Sequence, residues 1–227
     1  MGIIMKKKLS DYISEKIIPT PEPFEYTVNV SNGKAKKKFI DRIEKMVRSS
    51  NEYRDYIKFL KENMDMDKCI FYQKVCNNKN NRKRISIEIH HAPFTLYDYC
   101  ATVLERHQSE GRPLNDLLIA DDVLRMHYED KVGLVPVSKT SHEILHAGTH
   151  KLFVPLHMIY GNYTEFLTEY EDTEYADILY EKLEREMEKT KNCTPESFDA
   201  IVMEFTYINV PDYKTVEKLP VEETKVG

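Results

Sequence analysis

Residues 85–90, Ile-Ser-Ile-Glu-Ile-His, alternate apolar and polar side chains without a break. An alternation of period two is strand-like, because successive side chains on a strand leave opposite faces. Such a segment must bury one face. Pro93 lacks the N–H that a continuing ladder needs, so the strand has to end at the pair His90-His91. Residues 133–148 then read Gly-Leu-Val-Pro-Val-Ser-Lys-Thr-Ser-His-Glu-Ile-Leu-His-Ala-Gly. Leu134 to Val137 make a short apolar strand. His142 and His146 are four residues apart, which puts both on one face of a helix. Thr140 or Ser141 can cap that helix, opening at His142, and Gly148 can close it. The two stretches hold four of the chain's eight histidines.

Most of the remaining sequence reads as helix. Residues 36–64 carry Phe39, Ile43, Met46 and Val47, then Tyr53, Tyr56, Ile57 and Leu60, at helical spacing, with a break at Ser49-Ser50-Asn51. Residues 95–108 and 115–128 form a helical pair, the second capped by Asn115 or Asp116. Residues 163–189 form a long acidic amphipathic helix or helix pair carrying Phe166, Leu167, Tyr170, Tyr175, Ile178, Leu179, Leu183 and Met187. Further strands are expected over 24–30, 69–76 and 201–210, and a polar, basic turn over 77–84. Pro19, Pro21 and Pro23 make the N-terminus an extended arm. The charged tail after residue 215 lacks aromatics and is expected to be disordered. The fold class is therefore α+β: a small core of two short antiparallel strands plus a helix, embedded in a mostly helical domain with an inserted helical pair. The expected organisation is an arm (1–35), a helical segment (36–76), the core (77–160) with its insertion (92–132), an acidic helical extension (161–215) and the tail (216–227).

The net charge of −5 hides an asymmetry. Residues 1–91 hold 20 Lys and Arg against 12 Asp and Glu, and the rest holds 13 against 26. One part of the chain is thus suited to an anion such as a nucleic-acid backbone, or else the two signs are simply two solvated faces. No apolar run approaches the roughly 20 residues that span a bilayer. Asp11, Glu15 and Lys16 interrupt what would be a secretory apolar region. The four cysteines, Cys69, Cys76, Cys100 and Cys193, are irregularly spaced and fit free thiols in a reduced, cytoplasmic compartment. The gap between Cys69 and Cys76 departs from a tight zinc-ligand spacing.

The histidines admit three readings. His90, His142 and His146 can converge on one divalent metal, with His91 turned at the strand's end toward a substrate. Alternatively, His142-Glu143-Ile144-Leu145-His146 spells the zinc-protease motif, with Glu143 activating water. Pro136 and Gly148 leave barely two turns of helix for that motif, whose helices are usually long. Glu143 is more simply a first-turn acid placed well for the helix dipole. Third, a His-x-x-x-His pair alone is often an ordinary surface pair. His107, His127, His150 and His157 have no matching partner.

The order of strand, His-His pair, strand and His-x-x-x-His helix resembles the HNH, or ββα-metal, nucleases, closest to the colicin-type variant. The resemblance covers residues 85–148. It implies that His90, His142 and His146 bind a divalent metal (Mg, Mn, Ni or Zn) and that His91 is the general base taking a proton from the attacking water. It implies hydrolysis of DNA phosphodiester bonds, with Arg82, Lys83 and Arg84 upstream of the first strand clamping the backbone. Gly133 stands where the family has the asparagine that braces the loop holding the base. The alternative is accordingly a nucleic-acid-binding or phage assembly protein that keeps the metal-bound fold without cleavage. DNA is the expected partner, a protein docked on the acidic C-terminal helix a further one, and a membrane is not expected.

Overall fold

The structure is a computed structural model that describes residues 30, 32–72, 86–147 and 152–192. Its elements in chain order are α1 (Gly33–Ser49), α2 (Asn51–Asn63), β1 (Ile87–His91), α3 (Leu96–Ser109), α4 (Asp116–Tyr128), β2 (Leu134–Ser138), α5 (Lys139–Ala147), a 3-10 turn (Leu156–Met158), α6 (Tyr163–Glu169) and α7 (Glu174–Thr190). The fold is α+β, mostly helical with a single two-stranded antiparallel sheet among the described residues. No helix there is long and apolar enough to cross a membrane. The expected arm up to residue 31, the strands at 24–30 and 201–210, the turn at 77–84 and the tail lie outside the described residues, apart from Val30. Residues 33–35, expected in the arm, instead form the first turn of α1, capped by Asn32. Residues 69–72, where a strand was expected to begin, are not in a strand.

The chain divides into two compact units. One comprises Met1–Phe59, His91–Gly133 and Tyr160–Glu184; the other comprises Leu60–His90, Leu134–Ile159 and Arg185–Gly227.

In the first unit α1, α3 and α4 pack against one another. Phe39, Ile40, Ile43 and Val47 recur three and four apart and are buried along one stripe of α1. Ser50 both ends α1 and starts α2. Its hydroxyl donates to the Val47 carbonyl (2.8 Å) and accepts the Tyr53 N–H (3.0 Å), so one side chain satisfies an orphan group of each helix. Thr95 opens α3 with a full capping box: its hydroxyl accepts the Asp98 N–H, and the Asp98 carboxylate accepts the Thr95 N–H at 2.7 Å. Asn115 caps α4 by accepting the Leu117 N–H at 2.8 Å.

The long C-terminal helical segment is a pair, broken at residues 170–173, where the Thr173 hydroxyl donates to the Tyr170 carbonyl. Two carboxylates of α3 hold the start of α7. Asp98, fully buried, accepts from the Tyr175 hydroxyl at 2.9 Å and from Lys182. Glu105 accepts the Tyr175 N–H at 2.7 Å and the Lys36 ammonium at 2.6 Å. A second buried carboxylate network ties α3 to α4. Asp122 accepts from His107 Nε2 at 2.7 Å and from Arg112 and Arg125 at 2.8 Å each. Burial alone would raise the Asp122 pKa, but these three donors together hold it below the usual carboxylate range.

In the second unit β2 leads straight into α5, which packs on it. Bonds from Lys139 N to Ser86 O and from Ala92 N to Gly133 O bracket the ladder and make the two strands antiparallel. All five residues of β2 are buried, as its unbroken apolar run requires, whereas β1 alternates. Ile70 N donates to the Pro136 carbonyl at 3.0 Å. The cap of α5 is Ser138, whose hydroxyl accepts the Ser141 N–H at 3.2 Å. The helix therefore begins at Lys139, a turn earlier than Thr140 or Ser141 would have set it.

Candidate metal centre

Strand period sorts the residues of β1. Ile87, Ile89 and His91 form its buried side, while Glu88 and His90 form the half-exposed side. Helix period brings His142 and His146 to one face of α5, which is nine residues long. One ligand nitrogen from each of His90, His142 and His146 lies within 4.8 Å of the other two. The ring of His90 sits 5.0 Å from that of His142 and 5.1 Å from that of His146, edge to face in both cases. His142 Nε2 and His146 Nε2 are 3.0 Å apart.

These residues fit a divalent ion. Two nitrogens bound tetrahedrally at about 2.0–2.1 Å lie about 3.3 Å from one another, close to the separation of the α5 pair. Glu88, which the sequence reading did not single out, supplies orientation. Its Oε2 lies 2.7 Å from His142 Nδ1. With Nδ1–H donating to the carboxylate, the lone pair of His142 is on Nε2, the nitrogen aimed at the cluster. The signal for Glu88 is its place two residues before His90, on the same strand face. His90 and His142 are half-buried and His146 is exposed, so the cluster is open to solvent on one side.

His91 is directed elsewhere. Its side chain is 6% exposed, and its Nε2 lies 3.1 Å from His127 Nε2 in α4. Tyr53 stacks parallel to its ring, and Tyr53 and Tyr56 meet the His127 ring edge-on. Burial pushes His127 down to about 4, the nearby Arg48 adding to the effect and the Val123 carbonyl opposing it. His127 is thus neutral, and its Nδ1 lies 2.7 Å from the Val123 carbonyl, which it can only approach as a donor. Its Nε2 is then the acceptor, and His91 must give its own Nε2–H to it. The expected turn of His91 toward a substrate at the strand's end is not what this geometry has, because the alternation of β1 persists through its last residue.

The other expected residues divide as follows. Gly133 is held at both ends of its peptide, its N–H donating to the Tyr99 hydroxyl at 2.9 Å and its carbonyl accepting from Ala92 N at 3.0 Å. Arg82, Lys83, Arg84, Gly148, His150, Cys76 and Cys193 lie outside the described residues. Glu143 is exposed. Cys69 and Cys100 are buried free thiols, and the Cys69 sulfur lies 3.8 Å from the Ser141 hydroxyl. His107 is fully buried in the Asp122 network.

No curated protein and no solved structure matches the chain. The pattern that defines the family described as Bacteriophage G278-like virion protein matches residues 10–213. A match over that much of a 227-residue sequence shows kinship, and the chain belongs to the Bacteriophage G278-like virion protein family.

Proposed function

We propose that this virion protein holds a divalent transition-metal ion between β1 and α5, in an element resembling the ββα site of HNH nucleases, and that the ion serves to fasten that element rather than to cut DNA through His91. The observation that carries the reading is the convergence of His90, His142 and His146 within 4.8 Å, with Glu88 orienting His142. Three imidazoles suit Zn²⁺, Ni²⁺ or Cu²⁺ far better than Mg²⁺, which demands oxygen ligands. The commitment of His91 to His127 in a buried contact supports the non-cleaving form, since a general base needs access to the water it deprotonates.

A metal-dependent endonuclease is the second reading. Favouring it, three protein ligands at a partly open site leave a coordination position for water or phosphate, as catalytic sites do. The chemistry an ion would supply there is polarisation of a phosphate oxygen.

One experiment separates the two. The chain is titrated with Zn²⁺ and Ni²⁺ against a chelating dye, and the same preparations are incubated with supercoiled plasmid in Mg²⁺, Mn²⁺, Ni²⁺ or Zn²⁺. The expected outcome is stoichiometric Zn²⁺ or Ni²⁺ binding that His142→Ala abolishes, with no nicking. Nicking that His142→Ala and His91→Ala each remove would establish the nuclease instead. Absence of binding would end both readings.

A further inference from the structure

We infer that the exposed face of α1 is a binding surface for the phosphate backbone of a nucleic acid. It shares no residue with the metal centre and does not depend on it. The helix, Gly33–Ser49, holds seven bases (Lys34, Lys36, Lys37, Lys38, Arg42, Lys45 and Arg48) against two acids, Asp41 and Glu44. At 100° per residue, Lys34, Lys38 and Lys45 fall within about 40° of one another, on the side opposite the buried Phe39, Ile43 and Val47. All three are exposed, and none has an ion-pair partner among the described residues. Lys37 and Arg48 flank them. Each makes an exposed pair along the helix, at 3.5 Å to Asp41 and 3.7 Å to Glu44, contacts that contribute little.

The arrangement runs against the helix's own electrostatics. The first turn contains no acid, and four lysines occupy the first six residues of the helix. Cations there oppose the macrodipole. A bound anion would reverse the sign of that interaction, because the N-terminal N–H groups and the ammonium groups then act on it together.

What kind of anion follows from the rest of the face. Its exposed positions carry Lys, Arg, Asp and Ser, with no aromatic or large aliphatic side chain. Lysine is depleted at protein–protein interfaces, whose centres use aromatic and apolar anchors. Ammonium groups on flexible stems are instead point charges for phosphate, with no sequence reading. Lys34 and Lys45 are about 16 Å apart along the axis, enough to follow several phosphates of one groove edge.

The test is fluorescence anisotropy of two unrelated labelled duplexes of about 30 base pairs, in EDTA, from about 50 to about 300 mM NaCl. Three proteins are compared: the native chain, K34Q/K38Q/K45Q, and the charge-matched control K58Q/K189Q/K191Q, whose bases lie on α2, on α7 and just after α7. Glutamine has nearly the helix propensity of lysine, and circular dichroism verifies that each variant folds. The native chain should bind both duplexes alike. The slope of log affinity against log salt should fall by about 0.9 per lost phosphate contact, so by about 2.7 in the α1 variant, with at least a tenfold loss of affinity. The control should keep the native slope. An unchanged slope in the α1 variant, equal losses in both variants, or no duplex binding by the native chain would each overturn the assignment. Loss of self-association in the α1 variant without loss of duplex binding would also overturn it, since the occupant would then be a second copy.

Discussion

His91 Nε2 and His127 Nε2 lie 3.1 Å apart in a buried contact that closes the C-terminal end of β1 onto α4. The surroundings of His127 are Tyr53 and Tyr56 from α2, His91, the Val123 carbonyl one turn back, and the positive charge of Arg48, so among the described residues no carboxylate supports an imidazolium. Its pKa of about 4 lies below the ordinary histidine value of about 6.5. The unfolded chain therefore takes up this proton first as the pH falls. The stability associated with neutral His127 is complete above about pH 6.5 and is lost progressively down to about pH 4. Between about pH 7 and pH 5 the loss should be about 2 kcal/mol. Urea unfolding in EDTA at both pH values checks this. His127→Gln, whose amide can still accept from His91, should flatten the dependence by that amount; an equally steep dependence in the variant would refute the assignment.

In the proposed metal site, Glu88 is the residue outside the three histidines that would tune the affinity for the ion. Its carboxylate fixes the tautomer of His142 by accepting at Nδ1, 2.7 Å away. Removing such a partner typically lowers metal affinity about 10- to 100-fold without removing a ligand. Glu88→Gln is expected to weaken Zn²⁺ by that factor while keeping the stoichiometry, measured by competition with a chelating dye. Bound Zn²⁺ at about 100 times its dissociation constant should also add about 2.7 kcal/mol to the unfolding free energy. That increment should vanish with chelator and in His142→Ala. A Glu88→Gln affinity equal to that of the native chain would leave the carboxylate no role at the ion.

The parts of this arrangement that local chemistry decides are readable in the sequence, and those that tertiary packing decides are not. Thr95 and Asn115 stand immediately before periodic apolar runs, so the starts of α3 and α4 are legible to a residue. The convergence of His142 and His146 follows from helix period, and the end of β1 follows from Pro93. The start of α5 is harder. Ser138, Thr140 and Ser141 can all cap, and only the direct passage from β2 into the helix selects Ser138. The direction of His91 is illegible in another way. A strand terminus can release its last side chain, but here His127, 36 residues on, holds it in the alternation. Nothing local to either histidine announces the other.

Asp98 is a cap and a docking point at once. Its carboxylate accepts from the Thr95 N–H and hydroxyl at 2.7 and 2.8 Å, and from Tyr175 and Lys182 of α7. Thr95→Ala should remove only part of the capping box and cost about 1 kcal/mol. Asp98→Ala also strands the Tyr175 hydroxyl and the Lys182 ammonium against a buried site, and should cost about 3 kcal/mol or more. Paired urea denaturation curves give both values. A cost for Asp98→Ala no larger than that for Thr95→Ala would mean that α7 is held by its apolar stripe alone.

Gly161 and Gly111 both have positive φ, +96° and +66°, but for different reasons. At Gly111 a Cβ would meet nothing within 4 Å, so only the left-handed backbone resists a side chain. Gly111→Ala should cost about 1 kcal/mol. At Gly161 a Cβ would lie 2.2 Å from the Val132 carbonyl oxygen and 3.2 Å from that of Asp130. The Asp130 carbonyl also accepts from Asn162 N at 2.5 Å, so the two chain segments cannot separate without losing that bond. Gly161→Ala must therefore displace backbone, at about 3 kcal/mol or more. For a chain of this size that is a fall of about 6–12 °C in Tm, against about 2–4 °C for Gly111→Ala. Differential scanning calorimetry of the two variants distinguishes steric exclusion from mere backbone preference, and equal shifts would show that the Val132 contact yields freely.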